Sequence, residues 1–134
     1  MSRTSKSLVG EAGENIAVRF LKNQGYSIME RNYKRPWGEI DIVAIKDKIV
    51  YFVEVKAMSL TTLAYEQSGS APFSPEVHMN PEKVRRLRRA IESYLADRFR
   101  EGAEPEFELD LVSVELDMER KKSRVRFLQG IELG

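Results

Sequence analysis

The stretch Gly38-Glu39-Ile40-Asp41-Ile42-Val43-Ala44-Ile45-Lys46-Asp47-Lys48-Ile49-Val50-Tyr51-Phe52-Val53-Glu54-Val55-Lys56 decides the fold. Two β-rich runs, Glu39–Ile45 and Ile49–Lys56, flank the polar Lys46, Asp47 and Lys48, which together read as a hairpin. Side chains alternate along a strand, so Glu39 and Asp41 are expected on one face and Ile40, Ile42 and Ala44 on the other. On the second run Glu54 and Lys56 share a face with Val50 and Phe52. A turn with an even number of residues, such as Asp47–Lys48, sets Asp41 opposite Glu54 and Glu39 opposite Lys56. Their Cβ atoms are then about 4.5–5.5 Å apart. An odd loop without a bulge sends Asp41 and Glu54 to opposite faces.

Two carboxylates at that distance repel, and one keeps its proton unless a cation neutralises them. Mg²⁺ suits such a pair, because it takes one or two carboxylates together with waters and phosphate oxygens. Lys56 beside them fits a group that orients or deprotonates a water nucleophile, or steadies charge on a phosphate in the transition state. These are the parts of metal-assisted phosphodiester hydrolysis. The bland alternative is a solvated sheet face with cross-strand ion pairs. It is weakened by the second run, which is apolar at nearly every position, the pattern of a strand buried on both faces.

Outward from the hairpin, helical spacing of Ala12, Ile16, Ala17, Phe20 and Leu21 predicts a helix over 9–24, closed by Gly25. Residues 26–33 read as a first strand, and Pro36, Trp37 and Gly38 as a break. Residues 57–81, with Pro72, Pro75, Pro81 and no periodicity, read as a long loop. Asn80 and Pro81 open a second helix reaching about Arg100, with Val84, Leu87, Ile91, Tyr94 and Leu95 as its apolar stripe. Phe107–Met118 and 124–128 read as two further strands. The expected order is therefore α-β-β-β-α-β-β, an α/β domain over 9–134 preceded by a loose, polar 1–8.

The whole chain has 134 residues, no cysteine and a net charge of +1. Lack of cysteine excludes disulfide scaffolds, thiol catalysis and Cys-ligated zinc. No apolar run is long enough for a signal peptide or a membrane span, so a cytoplasmic protein without membrane contact is expected. The +1 argues against a tail-driven nucleic-acid binder. It conceals a segregation, however. Residues 82–100 carry seven basic and three acidic groups, and residues 101–119 carry eight acidic groups and no basic ones. The acidic run is expected to be a solvated strand edge and turn.

The residues Gly13-Glu14, Ala17, Phe20-Leu21, Gly25-Tyr26, Asn32, Gly38–Ala44 and Val50-x-Phe52-Val53-Glu54-Val55-Lys56 resemble the YraN family of small bacterial proteins. The likeness continues through Lys83-x-x-Arg86-Leu87, Ala90 and Tyr94-Leu95 to Leu109–Val112, and spans about residues 9–116. That family is similar to archaeal Holliday junction resolvases, of the restriction-endonuclease-like or PD-(D/E)XK fold. The resemblance implies a central mixed sheet flanked by helices and a Mg²⁺- or Mn²⁺-dependent endonuclease acting on branched or otherwise structured DNA. It implies that Asp41 and Glu54, with the Val55 carbonyl, hold the metal and that Lys56 is the catalytic lysine. Glu14 matches an additional acidic residue near the metal, and Glu39 matches the motif in a supporting role. A two-fold homodimer is also implied, since resolvase-like enzymes cut two strands symmetrically.

Arg85, Arg86 and Arg89 are candidate phosphate contacts on the second helix, each adding salt-sensitive affinity; the alternative is a solvated helix face. His78, the one histidine, reads as a solvated loop residue. Trp37 either stacks on an unpaired base or packs at the mouth of the hairpin. The rival to an endonuclease is a non-catalytic nucleic-acid-binding or assembly module that keeps the fold.

Overall fold

A computed structural model of the chain describes residues 5–69 and 80–132. Among these the order is α1 (Ser5–Asn23), β1 (Ser27–Arg35), β2 (Gly38–Lys46), β3 (Ile49–Ser59), α2 (Thr62–Ser68), α3 (Pro81–Arg98), β4 (Phe107–Asp117) and β5 (Lys122–Leu128). The strands form one sheet in the order β1-β2-β3-β4-β5. β3 and β4 are parallel, and the other neighbours are antiparallel. A parallel pair needs a long crossover, and the segment carrying α2 and α3 supplies it. The result is an α/β fold with helices flanking a mixed sheet, consistent with the restriction-endonuclease-like architecture expected.

Local chemistry explains the boundaries. Asp47 and Lys48 take φ of 51° and 68° between the paired Lys46 and Ile49, the left-handed pair of a two-residue type I′ hairpin. The turn is therefore even, and it fixes the register. α1 ends in a Schellman turn: Tyr26 N–H donates to Leu21 C=O and Gly25 N–H to Lys22 C=O, with Gly25 at φ 94°. Asn80 caps α3 by accepting from Lys83 N–H at 2.8 Å, with Pro81 in the first turn.

One face of the sheet packs Ile42, Ala44, Val53, Val112 and Val114 against Ala17, Val18 and Leu21 of α1. The other packs Tyr33, Val43, Val50, Phe52 and Leu109 against Leu87, Ala90, Ile91 and Tyr94 of α3. β3 contributes to both cores, as its unbroken apolar run requires.

Four expectations are corrected. The loose N-terminus gives way to α1, which already includes Ser5–Leu8; residues 1–4 lie outside the described residues. The loop over 57–81 is partly structured: β3 continues to Ser59 beside β4, and Thr61 caps the seven-residue α2. Pro72, Pro75 and His78 lie outside the described residues. The acidic run is only partly solvated: Glu101, Glu104, Glu106 and Glu119 are exposed as expected, but β4 is an interior strand on which Asp110, Glu115 and Asp117 are buried. Arg124 and Arg126 of β5 reach Glu115 at 3.3 Å, and Asp110 accepts from Gly130 N–H at 2.9 Å. Lastly, Ile40 does not share a core with Ile42 and Ala44 but joins the α3 side. The strand turns over between them, at Asp41, where the β3 ladder stops and where Asn32 on the neighbouring strand adopts φ 54°.

Candidate functional site

The even turn brings Asp41 into register with Glu54, but the ladder between β2 and β3 ends one residue earlier, at Ile42–Val53. Beyond that rung β2 and β3 part, and β3 runs on beside β4 as far as Ser59. The first backbone donor on β3 that β2 no longer serves is taken by a side chain: Val55 N–H donates to Asp41 Oδ2 at 2.7 Å. A buried N–H needs a partner, so this bond ties the carboxylate to the point where the strands separate. A cleft of about 680 Å³ opens there, lined by Glu14, Glu39, Asp41, Glu54, Val55 and Lys56 together with Val9, Gly10 and Lys83.

Two glycines let the flanking helices close on this cleft. A Cβ on Gly13 would lie 2.3 Å from the Ala57 Cβ, so α1 rests directly on β3 just past Lys56. Glu14 is thereby set at the rim, where its Oε1 accepts from Arg31 Nε and Asn32 Nδ2, both at 3.0 Å. The left-handed φ at Asn32 is one that asparagine tolerates. A Cβ on Gly38 would lie 2.2 Å from the Arg86 carbonyl oxygen, so α3 presses on the start of β2.

That second contact delivers a residue the sequence reading did not select. Lys83 extends from the first turn of α3, and its Nζ sits 2.7 Å from Glu54 Oε1. Lys83 also lines an adjoining cleft of about 340 Å³ with Glu39, Glu54, Asn80, Glu82, Arg86 and Leu87. A signal for it existed: Lys83 stands one turn before Leu87 on the same side of the helix, which aims a cation at the sheet.

The electrostatics centre on Asp41. Burial, and then the charge of Glu54, push its carboxyl up from 3.8 to about 7, against the pull of the Val55 N–H; Glu14 and Glu39 add smaller repulsions. Glu54 itself is 8% exposed and held by Lys83. Lys56 makes no ion pair with any described residue. The donor set fits a small divalent cation: the buried carboxylate of Glu54, the half-buried one of Asp41, raised by desolvation and by the Glu54 charge, and the Val55 carbonyl between Glu54 and Lys56. Among the described residues no group of three or more His, Cys, Asp or Glu could enclose an ion. Two carboxylates and a carbonyl would leave coordination positions to water, as a Mg²⁺ ion requires.

The arginines separate. Arg86 lines the smaller cleft, whereas Arg85 and Arg89 line neither. Trp37 packs at the mouth of β1 and β2, its indole N–H donating to Ser93 Oγ at 2.6 Å, and remains 37% exposed. No helix among the described residues is long and apolar enough to cross a membrane.

The model of uncharacterised protein family UPF0102 matches residues 13–114, which include every lining residue from Glu14 onward. A UPF0102 protein of Campylobacter hominis is 34% identical over 124 residues, covering 92% of this chain and 93% of its own length. One from Moorella thermoacetica is 36% identical over 121 residues, covering 90% and 92%. One from Desulfosudis oleivorans is 41% identical over 103 residues, covering 77% and 76%.

Proposed function

The chain belongs to the uncharacterised protein family UPF0102, and from its cleft we propose a divalent-metal-dependent endonuclease that hydrolyses phosphodiester bonds in DNA, with branched or otherwise structured DNA as substrate. The observation that carries this reading is the convergence of Asp41, Glu54 and Lys56 on one open cleft where β2 and β3 part. A solvated ion-pair face, the bland alternative, would pair Lys56 with a carboxylate and leave Asp41 in water. Instead Lys56 has no described ion-pair partner, and Asp41 is raised by burial.

Asp41, Glu54 and the Val55 carbonyl hold the ion. A Mg²⁺ or Mn²⁺ bound there supplies Lewis-acid polarisation of a phosphate oxygen. Lys56 orients the attacking water and steadies the negative charge that grows on the phosphate, a service worth most in a partly desolvated cleft. Glu14, anchored by Arg31 and Asn32, supports the rim. The Val55–Asp41 bond keeps the Asp41 carboxylate from swinging away.

The test is cleavage of duplex, single-stranded and four-way-junction DNA with Mg²⁺ or Mn²⁺ by wild type, Lys56→Ala and Asp41→Ala. The expected result is metal-dependent cleavage by wild type, greatest on the junction, falling at least 100-fold in both variants. Equal cleavage by all three proteins would assign the activity to a contaminant. No cleavage of any substrate would favour the binding-module reading.

A further inference from the structure

We propose that Lys83 is an internal counter-cation that holds Glu54 in the metal-free protein and is passed, with Arg86, to a nucleic-acid phosphate when a divalent ion takes Glu54. The inference deepens the endonuclease reading and rests on its metal site.

Lys83 occupies an unusual position. Its ammonium is 2.7 Å from a carboxylate oxygen that the proposed ion needs, yet its side chain is 39% exposed. It lines both the large acidic cleft and the smaller one beside it. Its backbone is fixed: Asn80 Oδ1 accepts from Lys83 N–H at 2.8 Å, and α3 is seated on Gly38 one turn further on. Only the flexible butyl stem can move, so Lys83 pivots between the two clefts without any change in the fold.

Charge decides the direction. Glu14, Glu39, Asp41, Glu54 and Glu82 line the joined clefts against Lys56, Lys83 and Arg86. Arg31 already balances Glu14, so Glu39, Asp41, Glu54 and Glu82 face the three cations without a divalent ion. A bound ion tips the balance to positive and favours a phosphodiester. Lys83 then faces a like charge across Glu54 and is displaced from it. Arg86 lies one turn along the same side of α3, in the smaller cleft, and no described residue forms an ion pair with it. Lys83 and Arg86 together present two cations one helical turn apart, suited to the phosphate next to the one being cut. Metal and DNA therefore bind in a coupled way, with Lys83 as the shared group.

The test measures binding rather than turnover. Mn²⁺ affinity is measured by calorimetry without DNA, and the affinity for a labelled four-way junction by fluorescence anisotropy with and without Ca²⁺. Wild type, Lys83→Gln and Lys83→Arg are compared, with circular dichroism to confirm that each is folded. Removing the competitor is expected to tighten Mn²⁺ binding about three- to tenfold in Lys83→Gln. The Ca²⁺-dependent gain in junction affinity should fall about tenfold in the same variant and be largely restored in Lys83→Arg. Unchanged or weaker Mn²⁺ binding by Lys83→Gln would overturn the proposal while leaving the metal site intact. So would an undiminished Ca²⁺-dependent gain. Failure of wild type itself to bind Mn²⁺ would overturn the endonuclease reading, and this proposal with it.

Discussion

Asp41→Asn should make the metal-free protein more stable, although it removes a residue assigned to the site. Burial and the neighbouring Glu54 move the Asp41 carboxyl from 3.8 to about 7. A carboxyl that releases its proton near pH 7 rather than 3.8 burdens the folded state by at most ~4 kcal/mol once ionised. Because Asp41 interacts with Glu54 and borders an open cleft, a realised effect of about 1–3 kcal/mol is expected. The sign follows from proton binding. Between pH 3.8 and about 7 the folded protein holds this proton and the unfolded chain does not, so stability contributed by protonated Asp41 is lost as pH rises through that window. Asparagine keeps an oxygen to accept from Val55 N–H and has no proton to lose. Thermal denaturation in EDTA, followed by circular dichroism, should therefore give nearly equal midpoints for wild type and variant at pH 4. At pH 8 the variant should melt higher by roughly 3–15 °C, at ~3–5 °C per kcal/mol for a chain of this size. A variant no more stable than wild type at pH 8, or a difference independent of pH, would refute the electrostatic description of the cleft.

Three further outcomes follow from the same geometry. Gly38→Ala places a Cβ 2.2 Å from the Arg86 carbonyl oxygen and must push α3 off β2, at a cost of about 1–3 kcal/mol in urea denaturation. Asn80→Ala removes the acceptor for Lys83 N–H and should cost about 1 kcal/mol in the same assay. Burial and the adjacent Glu108 push Asp110 up to about 8, so wild type should lose stability as pH rises from 4 to 8. Asp110→Asn, which still accepts from Gly130 N–H, should flatten that part of the profile.

The hairpin was legible because of one local signal, two β-rich runs around a short polar turn. Its register stayed conditional on an even turn, which the left-handed Asp47–Lys48 pair supplies, and with it Asp41, Glu54 and Lys56 fall at one end of the hairpin. What escaped depended on distant partners. The acids of β4 look solvated in sequence, and only the pairing of β5 brings Arg124 and Arg126 to Glu115. The short α2 buries no residue of its own and is held by those same arginines, which donate to the Tyr65 and Ser68 carbonyls. The turnover of β2 at Asp41 breaks strict alternation through backbone changes on two neighbouring strands. Lys83 meets Glu54 only because the crossover and Gly38 place α3 against the hairpin.

The most direct measurement is Mn²⁺ binding by electron paramagnetic resonance in wild type, Asp41→Asn, Glu54→Gln and Lys56→Ala. Wild type is expected to take up the ion, with uptake weakened at least tenfold in both carboxamide variants and persisting in Lys56→Ala. Equal Mn²⁺ binding by wild type and the two carboxamide variants would contradict it, as would loss of binding in Lys56→Ala alone.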